Sequence, residues 1–160
     1  VLYGTAFIVT AILLAFGADE GGLWTLLYWP AACSLVIGLG YLGLGAGMLG
    51  KRPDGTRPAW SWVIFAPYYL FVWIAMKFLR GLSREDRYNE VAPGVYVGRR
   101  CEVEELPEGV STVVDLTAEL DVPKGIREAT FYRTLPTLDG AAPDERQLRE
   151  LVADVSSRPG

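Results

Sequence analysis

Two cysteines and no histidine limit the chemistry that this 160-residue chain can perform by itself. Without histidine, neither a Ser-His-Asp nor a Cys-His set can be assembled. Cys33 lies in an apolar run and Cys101 in a charged loop. They form no C-x-x-C pair, so the sequence indicates neither a zinc site nor a disulfide framework. Cys101 stands beside Glu102, Glu104 and Glu105, and like charges disfavour a thiolate there; Arg99 and Arg100 offset this in part. Proton chemistry falls to the acids of the second half. Asp139-Gly140 reads as a turn from residue type alone. Asp144 reads as a first-turn acid that complements a helix dipole. Asp115 ends a β-branched run and reads as structural.

The elements that must position these acids begin near residue 88. Val95–Gly98 reads as a short strand opened by a Pro93-Gly94 turn. Val110–Leu116 is β-branched and nearly continuous in apolar residues, as in a parallel strand buried on both faces. Thr130–Pro136 is a third strand candidate. A helix is expected over Pro143–Ser157, where Leu148, Leu151, Val152 and Val155 follow i, i+3, i+4, i+7. Pro143 suits its first turn. Strands alternating with helices argue for an α/β class. A strand–helix unit expects a following parallel strand, reached right-handedly. None follows here, and the chain runs from Val1 to Arg158-Pro159-Gly160, so both ends read as truncations. The apolar stripe of the last helix is therefore expected to lack part of its cover.

The first half has a different composition. Residues 1–80 carry five Lys/Arg and three acids, a net +2, whereas residues 81–160 carry ten Lys/Arg and sixteen acids, a net −6. An acidic soluble half argues against nucleic acid as a partner. Residues 1–80 read as a membrane anchor of two or three hydrophobic helices, at about 1–18, 23–50 and 60–79. The second stretch has 28 uncharged residues, more than the ~20 that span a hydrocarbon core. Its small-xxx-small pairs, Ser34/Gly38 and Gly43/Gly47, suit close helix packing within the chain. The third stretch holds eight aromatic residues between Trp60 and Arg80, with Pro67 among them. Its length favours a third span. Its charge does not: Lys51, Arg52 and Arg57 precede it and Lys77, Arg80, Arg84 and Arg87 follow. A crossing would put these basic flanks on opposite sides, against the positive-inside rule, whereas a stretch that lies in the interface or re-enters would keep both on the cytoplasmic side. Residues 81–87 read as a charged linker.

The segments Tyr88–Gly98 (Tyr-Asn-Glu-Val-Ala-Pro-Gly-Val-Tyr-Val-Gly), Val113–Glu119 (Val-Val-Asp-Leu-Thr-Ala-Glu) and Leu135–Gly140 (Leu-Pro-Thr-Leu-Asp-Gly), followed by an amphipathic helix, form an ordered set. In order and spacing they resemble the start of the dual-specificity phosphatases of the protein-tyrosine-phosphatase superfamily. The nearer likeness is to bacterial membrane-anchored members, and it extends to the mitochondrial type acting on phosphatidylglycerophosphate. The likeness covers residues 88–160. It implies the N-terminal half of a cysteine-phosphatase-like α/β domain, incomplete before the family's His-Cys-x5-Arg loop. Neither Cys33 nor Cys101 fits that loop, since Leu39 and Pro107 stand six residues on. What the resemblance carries over is the general acid, matched by Asp139. Protonating the leaving oxygen matters because an alkoxide or phenolate leaves poorly near neutral pH. Partial burial would favour the protonated acid.

The function so implied is a membrane-anchored, cysteine-dependent phosphatase hydrolysing a phosphomonoester on a phosphoprotein or a phospholipid head group. It needs no metal or organic cofactor, and residues 1–160 alone are expected to be inactive. A reduced nucleophile suits the cytosol, which would hold the soluble half. The competing reading is a non-catalytic membrane scaffold with a phosphatase-like binding module. A small transporter is disfavoured by the lack of charged groups within the two longest apolar stretches.

Overall fold

The computed structural model describes residues 2–82 and 86–157, with side chains 79–82 left out of the description. Val1, the linker centre with Arg84, the Arg80 side chain and Arg158-Pro159-Gly160 lie outside the described features. Helix α1 spans Leu2–Ala18 and is uncharged throughout. A turn at Asp19–Gly22 reverses the chain, with Gly21 and Gly22 in the left-handed region. The chain then runs through a 3-10 segment, Gly22–Leu27, into helix α2, Tyr28–Leu39, and a π turn, Gly40–Leu44. Pro30 offers no N–H to the carbonyl of Leu26, in keeping with the tighter winding before Tyr28.

Gly22–Leu44 is long and apolar enough, by length and composition, to cross a membrane. The stretch 23–50 is therefore not one helix. Gly43 and Gly45 leave helical geometry, and Ala46–Leu49 forms a separate 3-10 turn that sets Met48 against Gly40. Of the two small-residue pairs, only that with Gly38 packs. A Cβ at Gly38 would lie 2.7 Å from Ile8 and 3.0 Å from the Gly4 carbonyl, whereas Gly43 and Gly47 face open space. The contact is within the chain, between α1 and α2.

The third stretch breaks into α3, Ala59–Ile64, and α4, Ala66–Leu82. The break falls at Phe65, just before Pro67, whose missing N–H cannot bond to Val63.

The second half is a small α/β region with two separate two-stranded sheets. Strand β1, Tyr88–Ala92, pairs antiparallel with β2, Val95–Gly98, across the Pro93-Gly94 turn. Strand β3, Thr112–Thr117, pairs parallel with β4, Phe131–Thr137, and the short helix α5, Ile126–Ala129, lies in the crossover. Helix α6 spans Glu145–Ser156. Pro143 sits before its cap rather than in its first turn, and Asp144 is the cap, accepting from the Gln147 amide at 2.9 Å. The stripe of α6 is only partly covered: Leu148, Leu151 and Val155 are half-buried and Val152 is exposed.

The two halves share one core. Cys33, Ile37, Leu49, Phe65, Tyr68 and Tyr69 from the helical part cluster with Ala118 and Leu138 from the ends of β3 and β4.

Candidate functional site

The carboxyl ends of β3 and β4 point toward the helical layer, and the polar groups that gather there come from both halves. Parallel pairing sets the arrangement. Thr112 aligns with Phe131 and Thr117 with Thr137, so the loops after both strands emerge side by side. Asp139 stands on the second of these loops. Leu138 before it is buried, and Gly140 after it takes φ +73°, closing a turn in which the Ala141 amide donates to the Leu138 carbonyl at 2.9 Å. The turn chemistry read from Asp139-Gly140 is thus present, at the exit of a parallel strand.

The backbone of Asp139 is tied from two directions. Its amide donates to Glu119 Oε1 at 3.1 Å, and its carbonyl accepts from the Tyr41 hydroxyl at 2.7 Å. Its side chain remains exposed. Glu119, on the loop after β3, is buried, and the same Oε1 accepts from the Tyr68 hydroxyl at 3.1 Å. One carboxylate oxygen thereby joins α4 to the Asp139 turn.

Asp115 has a separate task. Its Oδ2 meets Lys51 Nζ at 2.7 Å and accepts from the Tyr132 hydroxyl at 2.7 Å, while its Oδ1 accepts from Thr117. Lys51 also donates to the Thr117 carbonyl at 2.6 Å, and its side chain is 0% exposed. Burial pulls the Lys51 ammonium below its ordinary range, opposed by the Asp115 charge. Burial works to raise the Asp115 carboxyl, but Lys51 and the hydroxyls of Thr117 and Tyr132 outweigh it and hold it below the usual carboxylate range. The same burial, with Asp115, pushes the Tyr132 phenol up. Asp115 is thus committed to a buried ion pair, as its structural reading expects.

A second cation from the same loop, Arg57, donates to Asp121 Oδ1 at 2.7 Å and lies between the rings of Trp62 and Tyr69, 4.0 and 4.1 Å from their centres. Neither cysteine joins the cluster chemically. Cys33 is buried in the helical core, and Cys101 is half-buried in its own loop. Burial and then Glu105 push the Cys101 thiol up, as expected from its acidic neighbours.

In front of the Asp139 turn lies a groove of about 1260 Å³. One wall is aromatic helix surface, with Phe7, Tyr41 and Phe71; the other carries Arg99, Arg100, Thr117 and Asp139. In the sequence Glu119 stands out only as the end of the Val113–Glu119 segment, and Lys51, Arg57 and Tyr41 fall within the stretch that reads as anchor. The signal for Lys51 and Arg57 was their charge in an otherwise apolar half. Nothing local pairs them with acids 64 residues away. No family model, curated protein or solved structure matches this chain.

Proposed function

We propose that the chain is the membrane-seated part of a cysteine-dependent phosphatase of the dual-specificity type, with Asp139 as general acid. The observation that carries this reading is the posture of Asp139: an exposed carboxyl at the exit of a parallel strand, on a turn whose backbone is pinned by Glu119 and Tyr41. A pinned backbone is what positioned proton delivery to a leaving oxygen asks for; the partial burial expected of such an acid is not met within residues 1–160, where Asp139 is exposed. As sulfur bonds to phosphorus and the ester P–O bond breaks, the Asp139 proton passes to the departing oxygen. The reading requires a Cys-x5-Arg loop from outside residues 1–160, because neither Cys33 nor Cys101 has an arginine six residues on. It places the α/β half in the cytoplasm, where such a thiol stays reduced. The groove's aromatic wall and its Arg99 and Arg100 favour a phospholipid head group over a phosphoprotein.

The test uses the chain extended through the nucleophile loop, with Asp139→Asn. General acid catalysis contributes ~10²–10⁴-fold. Asp139→Asn should lower kcat by that order on an alkyl or phenyl phosphate and far less on an aryl phosphate whose leaving group is already a weak base. Equal losses on both substrates, or none, would remove Asp139 from the role. No turnover in the extended chain, with phosphorylated lipid retained on it, would favour the binding-module reading.

A further inference from the structure

We infer that α3 and α4 do not cross the bilayer, but enter it and return on the same side as the α/β half, with their exposed apolar face covered by lipid. The loop before α3 is held to the α/β half at three places. Lys51 pairs with Asp115, Arg57 pairs with Asp121, and the Val122 amide donates to the Gly55 carbonyl at 3.0 Å. The far part of α4 returns to the same surface: Trp73, Met76 and Lys77 line one small cavity with Arg57, Arg100 and Glu119. In between, Tyr68 bonds Glu119. A segment fastened to one body before its start, along its length and near its end cannot have its ends on opposite faces of a membrane.

The polarity of these helices is inverted relative to a water-exposed helix. Ser61, Tyr68 and Tyr69, which carry hydroxyls, are buried, and Ser61 Oγ bonds both the Leu49 carbonyl and the Tyr69 hydroxyl. Val63, Leu70, Ile74 and Phe78 are more than half exposed. A helix in water turns its apolar stripe inward. This one turns it outward, where only an apolar medium rewards it. The break at Phe65 agrees. The Ile64 carbonyl accepts from Trp29 Nε1 at 3.0 Å, and Trp29 lies on the candidate span. In hydrocarbon an unpaired carbonyl is costly, so a break in the helix needs such a partner.

Charge closes the argument. The N-terminal end of α1 and the C-terminal end of α2 both reach the Asp139 turn, through Tyr3 against Gly140 and Tyr41 on the Asp139 carbonyl. The Asp19–Gly22 turn is at the other end of that pair. Acids Asp19 and Glu20 then lie on the far side, and Lys51, Arg52, Arg57 and Lys77 all lie on the near one. A third stretch that returns to the same side satisfies the positive-inside rule that a third crossing violates.

Thiol labelling in membrane vesicles tests this, on the full chain with Cys33→Ala and Cys101→Ser. Single cysteines replace Arg52 in the loop before α3, Glu104 in the α/β half, Glu20 in the far turn and Ile74 on the outward face; Pro53→Cys serves as a second reporter for the loop. An impermeant maleimide should label positions 52, 53 and 104 from the same side and position 20 from the other. A nitroxide carried on lipid should quench a fluorophore at position 74. Labelling of 52 and 53 from the side opposite to 104 would overturn the inference. So would free aqueous labelling at 74, or a fluorophore there that is shielded from both water and lipid, which would mean that protein covers this face.

Discussion

Lys51 is the residue on which the joint between the halves turns. Its ammonium is fully buried and makes three contacts, with the Asp115 carboxylate, the Thr117 carbonyl and the Thr117 hydroxyl. Removing one member of a buried pair leaves the other charge without compensation, at a cost of about 3–5 kcal/mol. Lys51→Met should therefore lower the stability of the purified protein by that order, read as a loss of denaturant midpoint in detergent. Tyr132→Phe, which removes one neutral donor to the Asp115 carboxylate, should cost about 1.5–3 kcal/mol. The pair also sets an acid limit. The Asp115 carboxyl is held below its ordinary value in the folded chain. A depressed carboxyl contributes stability that is present above the unfolded value, ~3.9, and is lost as pH falls through the lower folded value. Thermal stability should thus decline below about pH 4, and Asp115→Asn, a less stable protein throughout, should show a shallower decline over that window.

At the scale of elements, the clearest contrast is between two glycines of one apolar run. Gly38 sits where α1 and α2 come closest, and a Cβ there meets the Gly4 backbone carbonyl. Gly47 faces open space. Overpacking a tight contact costs ~1–3 kcal/mol. Gly38→Ala should lower the melting temperature in detergent, while Gly47→Ala should leave it nearly unchanged; equal effects would show that the α1–α2 contact is not the tight one. Most of the elements were legible in the sequence because their causes are local. The uncharged run before Asp19 and the β-branched run before Asp115 are marked by composition, and the Leu148–Val155 stripe by its period. Strand β1 was not, because Tyr88–Ala92 is exposed on every residue and has no buried alternation to read; it exists through pairing with β2. The end of α2 was misread because glycines at 43 and 45 suit close packing and helix termination equally, and only their left-handed geometry decides. The third stretch was ambiguous for a related reason: composition measures how apolar a segment is, and its fastening to Asp115, Asp121 and Val122 is set by residues about 64–67 positions on. At the site, residue type gave the Asp139-Gly140 turn, and only the resemblance proposed Asp139 as an acid; Glu119, Tyr41 and Tyr68 carried no such signal, since their meeting depends on the same long-range packing.

At the scale of the molecule, exposed apolar surface dominates the helical half. Leu13, Phe16, Leu23, Leu26, Leu44 and Val63 are all more than 60% exposed, on α1, the candidate span and α3. A monomeric water-soluble protein rarely carries a contiguous apolar face on that scale. The chain should fractionate with membranes and resist extraction by salt or alkali, yielding only to detergent; release by alkali would point to a surface association without a span. Because the helical half and the Asp139 turn share the core around Leu138, detergents that loosen α1, α2 and α4 should also loosen the site. On the function proposed above, the helical half seats in the membrane, the Asp139 turn supplies the acid and a further segment the nucleophile of one phosphatase. The most direct measurement is hydrolysis of a small aryl phosphate in native membranes by residues 1–160 and, in parallel, by the chain extended through the following segment. The account predicts turnover in the extended chain alone, abolished by replacing the cysteine of its Cys-x5-Arg loop. Equal activity in both, or activity in the extended chain that survives loss of that cysteine, would contradict it.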